Sequence, residues 1–265
     1  MSWNVFLLTE FFRMARKIGR FALVSAFLAL CACTTPDQPL ETFDPYEAEN
    51  REVHAFNRAV DATALRPAAT GYGTLVPVPV RMGVANFSSN LGMPSMVVND
   101  LLQGNPGDAL HNGFRFVLNT TLGFGGLFDV ATTGGFEERT SDFGETLAVW
   151  GAPEGAYVEV PFLGPRTERA FAGDVVDLVL NPVNYVFGLE YGGVIVGARA
   201  ATALDSRFAL GETLDEILYE SADSYALLRS LYLQNRRFEL SEGGVAGGEP
   251  AFDPYEDLYG DIFEE

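Results

Sequence analysis

The chain has 265 residues, with 17 bases against 36 acids, a formal net charge of −19, two histidines and two cysteines. That balance argues against nucleic acid, whose binding rests on cations set against phosphates, and against a polybasic patch for anionic lipid. Both cysteines, Cys31 and Cys33, fall at the end of an N-terminal signal, so disulfides, thiolate metal sites and cysteine nucleophiles are excluded from the body that follows.

Arg13, Arg16, Lys17 and Arg20 precede the uncharged run from Phe21 to Leu30, and Cys31-Ala32-Cys33-Thr34 follows. A basic stretch, a short apolar stretch and a small residue at the cut make a secretory signal over residues 1–32. The apolar run is shorter than the roughly 20 residues that span a bilayer. Leu30 and Ala32 ahead of Cys33 look like a bacterial lipobox. Cys33 is thus the expected lipidation site, whereas Cys31 would place bulky Leu30 at the cleavage position. The expected product is a lipid-anchored protein facing the periplasm. Several acyl chains together hold a protein lastingly, where one does not.

Residues 33–42 read as a tether. Asp44-Pro45-Tyr46-Glu47 has the composition of a helix start, and Val53, Phe56, Val60 and Ala64 follow at helical spacing until Arg66-Pro67 is expected to end the helix. Val76-Pro-Val-Pro-Val80 reads as extended, and Arg81 to Leu91 as helical. A fresh helix is expected from Met93-Pro94 to Leu102, with Gly104 as its stop. Asn105-Pro106-Gly107-Asp108 opens another helix, whose apolar face is Leu110, Phe114, Val117 and Leu118. Gly123-Phe-Gly-Gly126 is a break rather than a dinucleotide loop, because it follows a helical pattern and not a strand. Short helices are expected over Leu127–Ala131 and up to Trp150, with a short strand or extended segment at Tyr157–Phe162. Thr167–Leu180 is helical in pattern, Tyr185–Leu204 is apolar and glycine-rich, and Leu210–Leu240 is a long helical stretch broken near Ser221–Ser224.

Residues 241–265 form an acidic tail that reads as disordered. Within it Phe252-Asp-Pro-Tyr-Glu256 repeats Phe43-Asp-Pro-Tyr-Glu47. The repeat is a coincidence, a second helix start, or a competitor for the contacts of the first copy. After residue 33 no uncharged apolar run is long enough for a standard transmembrane helix, and the scarcity of period-2 runs speaks against a β-barrel. The expected fold is mainly α, with little β structure.

His54 and His111 have no second histidine at metal-ligand spacing, and Gly-x-Ser-x-Gly is absent. Neither a catalytic residue nor a metal or cofactor is assigned. Both histidines read as surface or hydrogen-bonded structural residues, and Trp150 reads as core or interface packing. The acid pairs Asp174/Asp177 and Glu212/Asp215 read as solvated helix faces. Phe56-Asn57 lies on the first helix, where an asparagine in apolar surroundings needs a partner. It is open to a helix–helix hydrogen bond or to a pore role.

One set of runs carries a family resemblance. Asp44-Pro-Tyr-Glu47, Phe56-Asn57, Arg66-Pro67, Asn99-Asp-Leu-Leu-Gln103 and Arg115-Phe116 are followed by Asn119-Thr-Thr-Leu-Gly123 and Gly126-Leu-Phe-Asp129. Asp142-Phe-Gly144, Trp150-Gly151, Leu163-Gly-Pro165 and Leu231-Tyr-Leu-Gln234 complete the order. Over residues 44–237 the chain resembles the MlaA/VacJ lipoproteins. It departs from them at Arg169-Ala170, where Arg-Asp is usual, and at Ser224-Tyr225, where Asp-Pro-Tyr often stands.

The resemblance implies a single ring-like domain of amphipathic helices over residues 43–240, lodged in the inner leaflet of the outer membrane. Phospholipid is the implied cargo, with an outer-membrane porin trimer and a soluble periplasmic lipid carrier as partners. It also implies a central channel, for which Phe56, Asn57, Gly123, Gly125 and Gly126 are the candidate lining or gate. A set of tight turns explains the glycines equally well. The competing readings are a structural or porin-associated lipoprotein without transport activity, and a periplasmic hydrolase.

Overall fold

A computed structural model describes residues 42–183 and 192–242. The signal sequence, Cys33, the tether up to residue 41 and the tail from residue 243 lie outside the described residues.

The described chain is helical apart from one hairpin. Helix α1 (Glu47–Val60) runs into a π-helical segment (Asp61–Leu65) and then α2 (Arg66–Leu75). Helix α3 (Val78–Leu102) is followed by α4 (Pro106–Thr121), α5 (Val130–Thr133) and α6 (Phe143–Val149). Strands β1 (Tyr157–Val160) and β2 (Gly164–Thr167) pair antiparallel, with Tyr157 opposite Thr167. Then come α7 (Glu168–Leu180), α8 (Gly192–Ala209), α9 (Gly211–Asp215), a second π segment (Glu216–Glu220) and α10 (Ser224–Glu242).

Several expected breaks are absent. Arg66-Pro67 does not end the first helix, because the π turn opens the ladder just before Pro67, with the Arg66 N–H reaching back to the Asp61 carbonyl. The extended stretch is confined to Val76 and Pro77; Val78, Pro79 and Val80 already form the first turn of α3, where proline is tolerated. Pro94 does not restart a helix but sits inside the 25 residues of α3. Packing of α3 against α4 and α8 outweighs the one ladder bond that Pro94 omits, and Asn181 Nδ2 donates to the Leu91 carbonyl beside the gap. Asp44 caps nothing: Tyr46 takes the cap position of α1 without a side-chain bond, and the Asp44 carboxylate makes tertiary contacts instead. The capping of α4 is as expected, with the Asn105 side chain accepting from the Asp108 N–H at 3.2 Å.

Neighbouring elements close a circuit: α3 touches α6, α6 touches α7, and α7 touches β2. From there contacts pass through α10, the second π segment and α9 to α8, which returns to α3. Helix α2 lies on α8, and the Phe208 ring occupies the space where a side chain at Gly73 would begin.

The usual division of inside and outside is inverted. Among the described residues the apolar core forms two small clusters, Leu91, Val183 and Ile195 in one and Tyr157, Tyr225 and Leu233 in the other. The largest wholly buried side chains include Arg115, Asn99, Asn112, Thr146 and Thr167. Helix α4 shows why. Leu110, Phe114 and Val117 recur at i, i+4 and i+7 and are 76, 46 and 55% exposed, whereas Ala109, Asn112, Arg115 and Asn119 face inward. Helix α7 follows suit, with Phe171, Val175, Leu178 and Val179 exposed. The apolar faces legible in the sequence are real, but they point out of the protein.

Candidate functional site

Soluble monomers rarely expose contiguous apolar surface on this scale. Beside the outward face of α4 stand Leu122, Phe124, Leu127 and Phe128, all exposed. The arginine of α4 is turned inward. Arg115 is fully buried; it donates to Asp129 Oδ2 at 3.1 Å, to Thr132 Oγ1 at 2.9 Å and to the Phe136 carbonyl. Asn119 Nδ2 donates to Asp129 Oδ1 at 2.9 Å, and its Oδ1 accepts from the Ala131 N–H at 2.9 Å. Burial alone would raise the Asp129 carboxyl, but bonds from Thr132, Asn119 and Arg115 outweigh it and hold the group down at about 2. The loop between α4 and α6 is thereby pinned from within. Among the described residues, no helix is long and apolar enough to cross a membrane.

The glycine candidates form one compact turn. Gly125 N–H donates to the Thr120 carbonyl and Gly126 N–H to the Asn119 carbonyl, while the Phe128 N–H reaches back to Gly123. Gly126 has φ +95° and presses on Asn90, whose side chain lies where a Cβ would stand; a Cβ on Gly123 would strike the Phe128 and Asn119 carbonyls. Phe124, between them, holds φ +54° without being glycine.

Phe56 and Asn57 are engaged with a different element, the β1–β2 hairpin. Asn57 Nδ2 donates to the Val160 carbonyl at 3.0 Å, and its Oδ1 accepts from the Phe162 N–H at 2.8 Å. The expected helix–helix bond is therefore a helix–hairpin clamp. Phe56 meets the Phe162 ring edge to face at 5.3 Å, and Phe162 is 75% exposed at φ +66°.

Buried polar knots elsewhere overturn two further expectations. Asp177 is no solvated acid: it accepts from Ser95 Oγ at 3.0 Å, Asn99 Nδ2 at 2.7 Å and the Phe143 N–H at 2.8 Å, and burial raises its pKa. Asp215 bonds Arg66 and Arg207, and Arg207 grips Asp61 through both carboxylate oxygens. Trp150 is not core: it is 55% exposed, with Nε1 donating to the Leu102 carbonyl at 3.1 Å.

His54 is buried, with Nε2 2.9 Å from Ser224 Oγ and Nδ1 3.4 Å from Glu159 Oε1. The order serine–histidine–acid resembles a nucleophilic relay. The setting does not favour one. All three side chains are buried, Glu159 is shared with Tyr157 and Asn57, and the Asp223 carboxylate already accepts the Ala226 N–H at the start of α10, where an oxyanion would need donors. His111 Nε2 lies 2.6 Å from the Glu137 carbonyl. Among the described residues, no group of three or more His, Cys, Asp or Glu stands ready to hold a metal ion.

Sequence reasoning quoted Arg115 and Asp129 only as matching residues, and gave no role to them, to Asn112 or to Asn90. The signal was present in α4, where Asn112, Arg115 and Asn119 share the helical phase opposite Leu110, Phe114 and Val117.

Comparison with known proteins yields consistent matches. The family model described as MlaA lipoprotein matches residues 42–239. The intermembrane phospholipid transport system lipoprotein MlaA of Escherichia coli K12 is 34% identical over 235 residues, covering 87% of this chain and 91% of its own. That of Haemophilus influenzae is 33% identical over 266 residues, covering 95% and 99%. An uncharacterized protein of Rickettsia felis is 36% identical over 192 residues, covering 72% and 75%. A solved structure, described as the structural basis for maintenance of bacterial outer membrane lipid asymmetry, superposes with a TM-score of 0.66. It is 33% identical and covers 74% of this chain and 98% of its own.

Proposed function

Because the chain belongs to the MlaA lipoprotein family, we propose that it removes mislocalised phospholipid from the outer leaflet of the outer membrane and passes it to a soluble periplasmic carrier. The carrying observation is the inverted helix α4, with Leu110, Phe114 and Val117 outside and Arg115 and Asn119 inside. A surface of that kind rests among acyl chains, while the polar groups stay bonded to protein, as unpaired backbone and charge must in hydrocarbon. Acyl chains on Cys33 hold the body to the periplasmic face of the outer membrane, beside a porin trimer. The turn at Gly123, Gly125 and Gly126 and the Phe56-Asn57 clamp on the hairpin are the candidate gate. No bond is made or broken, and direction comes from differences in lipid affinity along the route.

The test is outer-leaflet phospholipid, measured on intact cells with an impermeant headgroup reagent. Deleting the gene is expected to raise it, and the unaltered chain to restore the low level. A Cys33→Ala chain is expected to fail. Unchanged asymmetry in the deletion strain would leave the structural, porin-associated reading in its place.

A further inference from the structure

The segment Phe43–Glu47 sits in a built socket. The Phe43 carbonyl accepts the Tyr157 N–H at 2.9 Å. The Asp44 side chain is 3% exposed and accepts from Asn50 Nδ2 at 2.9 Å, from Arg229 at 2.5 Å and from the Tyr225 hydroxyl. Glu47 pairs with Arg51 at 2.8 Å and reaches Arg229 at 3.4 Å. Most of these partners belong to β1 and α10 rather than to the segment they hold. Asn50 and Arg51 lie further along α1 and stay in place if only residues 42–46 peel away.

The same five residues recur as Phe252-Asp-Pro-Tyr-Glu256. We propose that the socket takes either copy, so that the two Phe-Asp-Pro-Tyr-Glu segments of one chain compete for Tyr157, Tyr225 and Arg229. The second copy offers the same backbone carbonyl and the same carboxylate ahead of a proline, while Glu47, the first residue of α1, keeps its own pairs with Arg51 and Arg229.

Reach supports exchange within one chain. Tyr225 and Arg229 lie about 20–25 Å back along α10 from its end at Glu242, at roughly 1.5 Å per residue. The stretch from there to Asp253, through Gly243-Gly-Val-Ala-Gly-Gly248, is glycine-rich. Eleven residues reach at most about 36 Å, more than the gap to be crossed. A tether long enough to span the gap makes the second copy's binding intramolecular and raises its local concentration. Seating the second copy frees residues 42–46 and so lengthens whatever precedes α1. The exchange does not depend on what the protein carries.

The test places a photoreactive amino acid at Tyr255 in the full chain in its native membrane, with adducts mapped by mass spectrometry. Adducts are expected on the peptides holding Tyr157 and Tyr225–Arg229. They are expected to fall at least tenfold with Asp253→Ala and to rise severalfold with Asp44→Ala, which removes the first copy's carboxylate from Tyr225 and Arg229 and weakens its hold. Adducts indifferent to Asp253→Ala, absent from both peptides, or formed only between two chains would overturn the proposal. If the Asp44→Ala chain does not fold, Asp253→Ala against the unaltered chain decides alone.

Discussion

Arg115 and Asp129 meet at 3.1 Å beneath a surface made of leucine and phenylalanine, the arginine with no solvent exposure at all. The pair ties α4 to the loop that follows it. Removing the arginine deletes its bonds to Asp129, Thr132 and the Phe136 carbonyl and leaves a cavity, while Asp129, partly exposed, keeps its Thr132 and Asn119 bonds. Arg115→Ala is therefore expected to lower the melting temperature of the detergent-solubilised protein sharply and to strip hydrogen-exchange protection from residues 122–136. Unchanged exchange there would mean that the loop is held by something else.

The three candidate gate glycines differ in what surrounds them, and substitution separates them. A Cβ at Gly126 meets Asn90 at 2.5 Å and one at Gly123 meets the Phe128 carbonyl at 2.1 Å, whereas at Gly125 nothing lies within 4 Å. Gly125→Ala carries only the strain of φ +75°, about 1 kcal/mol. Gly126→Ala combines strain at φ +95° with a clash against Asn90, and Gly123→Ala, whose φ is not positive, clashes with backbone carbonyls; both are expected to lose several times more thermal stability. Equal losses at all three would argue that the turn is softer than its hydrogen bonds suggest.

Outward positions on α4 should behave in the opposite way from core positions. Phe114→Glu leaves every buried polar bond intact and is expected to change stability in detergent by less than about 1 kcal/mol. In cells it places a charge against acyl chains, and outer-leaflet phospholipid is expected to rise. A normal lipid distribution in that strain would remove the membrane-facing assignment of α4.

Glu145 gives a pH signature. Burial and the neighbouring Asp142, opposed by Arg236, push its carboxyl up to about 7 from 4.5. The folded state thus holds a proton that the unfolded state has released between roughly pH 4.5 and 7, so this group's contribution to stability falls as pH rises through that window. Asp100 and Asp177, also raised by burial, act in the same direction, while Asp129 acts in the other at lower pH. Glu145→Gln is expected to flatten the decline and to raise stability at pH 8 by about 1–2 kcal/mol. Melting temperatures of both chains across pH 5–8 test it, and parallel curves would count against the assignment.

The serine–histidine–acid row offers a clear negative. Ser224→Ala removes one buried hydrogen bond, worth about 1 kcal/mol, and is expected to leave lipid asymmetry unchanged. A fluorophosphonate probe is expected not to label the protein. Labelling that disappears with Ser224→Ala would revive a hydrolytic reading.

Much of the helical layout is legible residue by residue: Asn105 and Pro106 opening α4, Gly104 closing α3, and the break at Ser221–Ser224 between the second π segment and α10. These are local events, decided by side-chain caps and backbone freedom within a few residues. Pro67 reads falsely as an end and Pro94 as a fresh start because local strain competes there with packing over a whole helix, and packing prevails. Asp44, Asp177 and Asn57 look like a cap, a surface acid and a helix partner until the elements that approach them are known.

By itself the sequence determined the mainly helical class and the periodicity of each apolar face, since both are set by residues close together along the chain. It left open which way those faces point. Periodicity fixes a stripe on a helix but not the medium it meets. Only the tertiary structure, by pairing Arg115 with Asp129 and enclosing Asn99, Asn112 and Thr146, decided that the polar stripe goes inside and the apolar one out. The reason is energetic: a charge or amide withdrawn from water must find its partner in the protein, and such partners lie far along the chain or on another element.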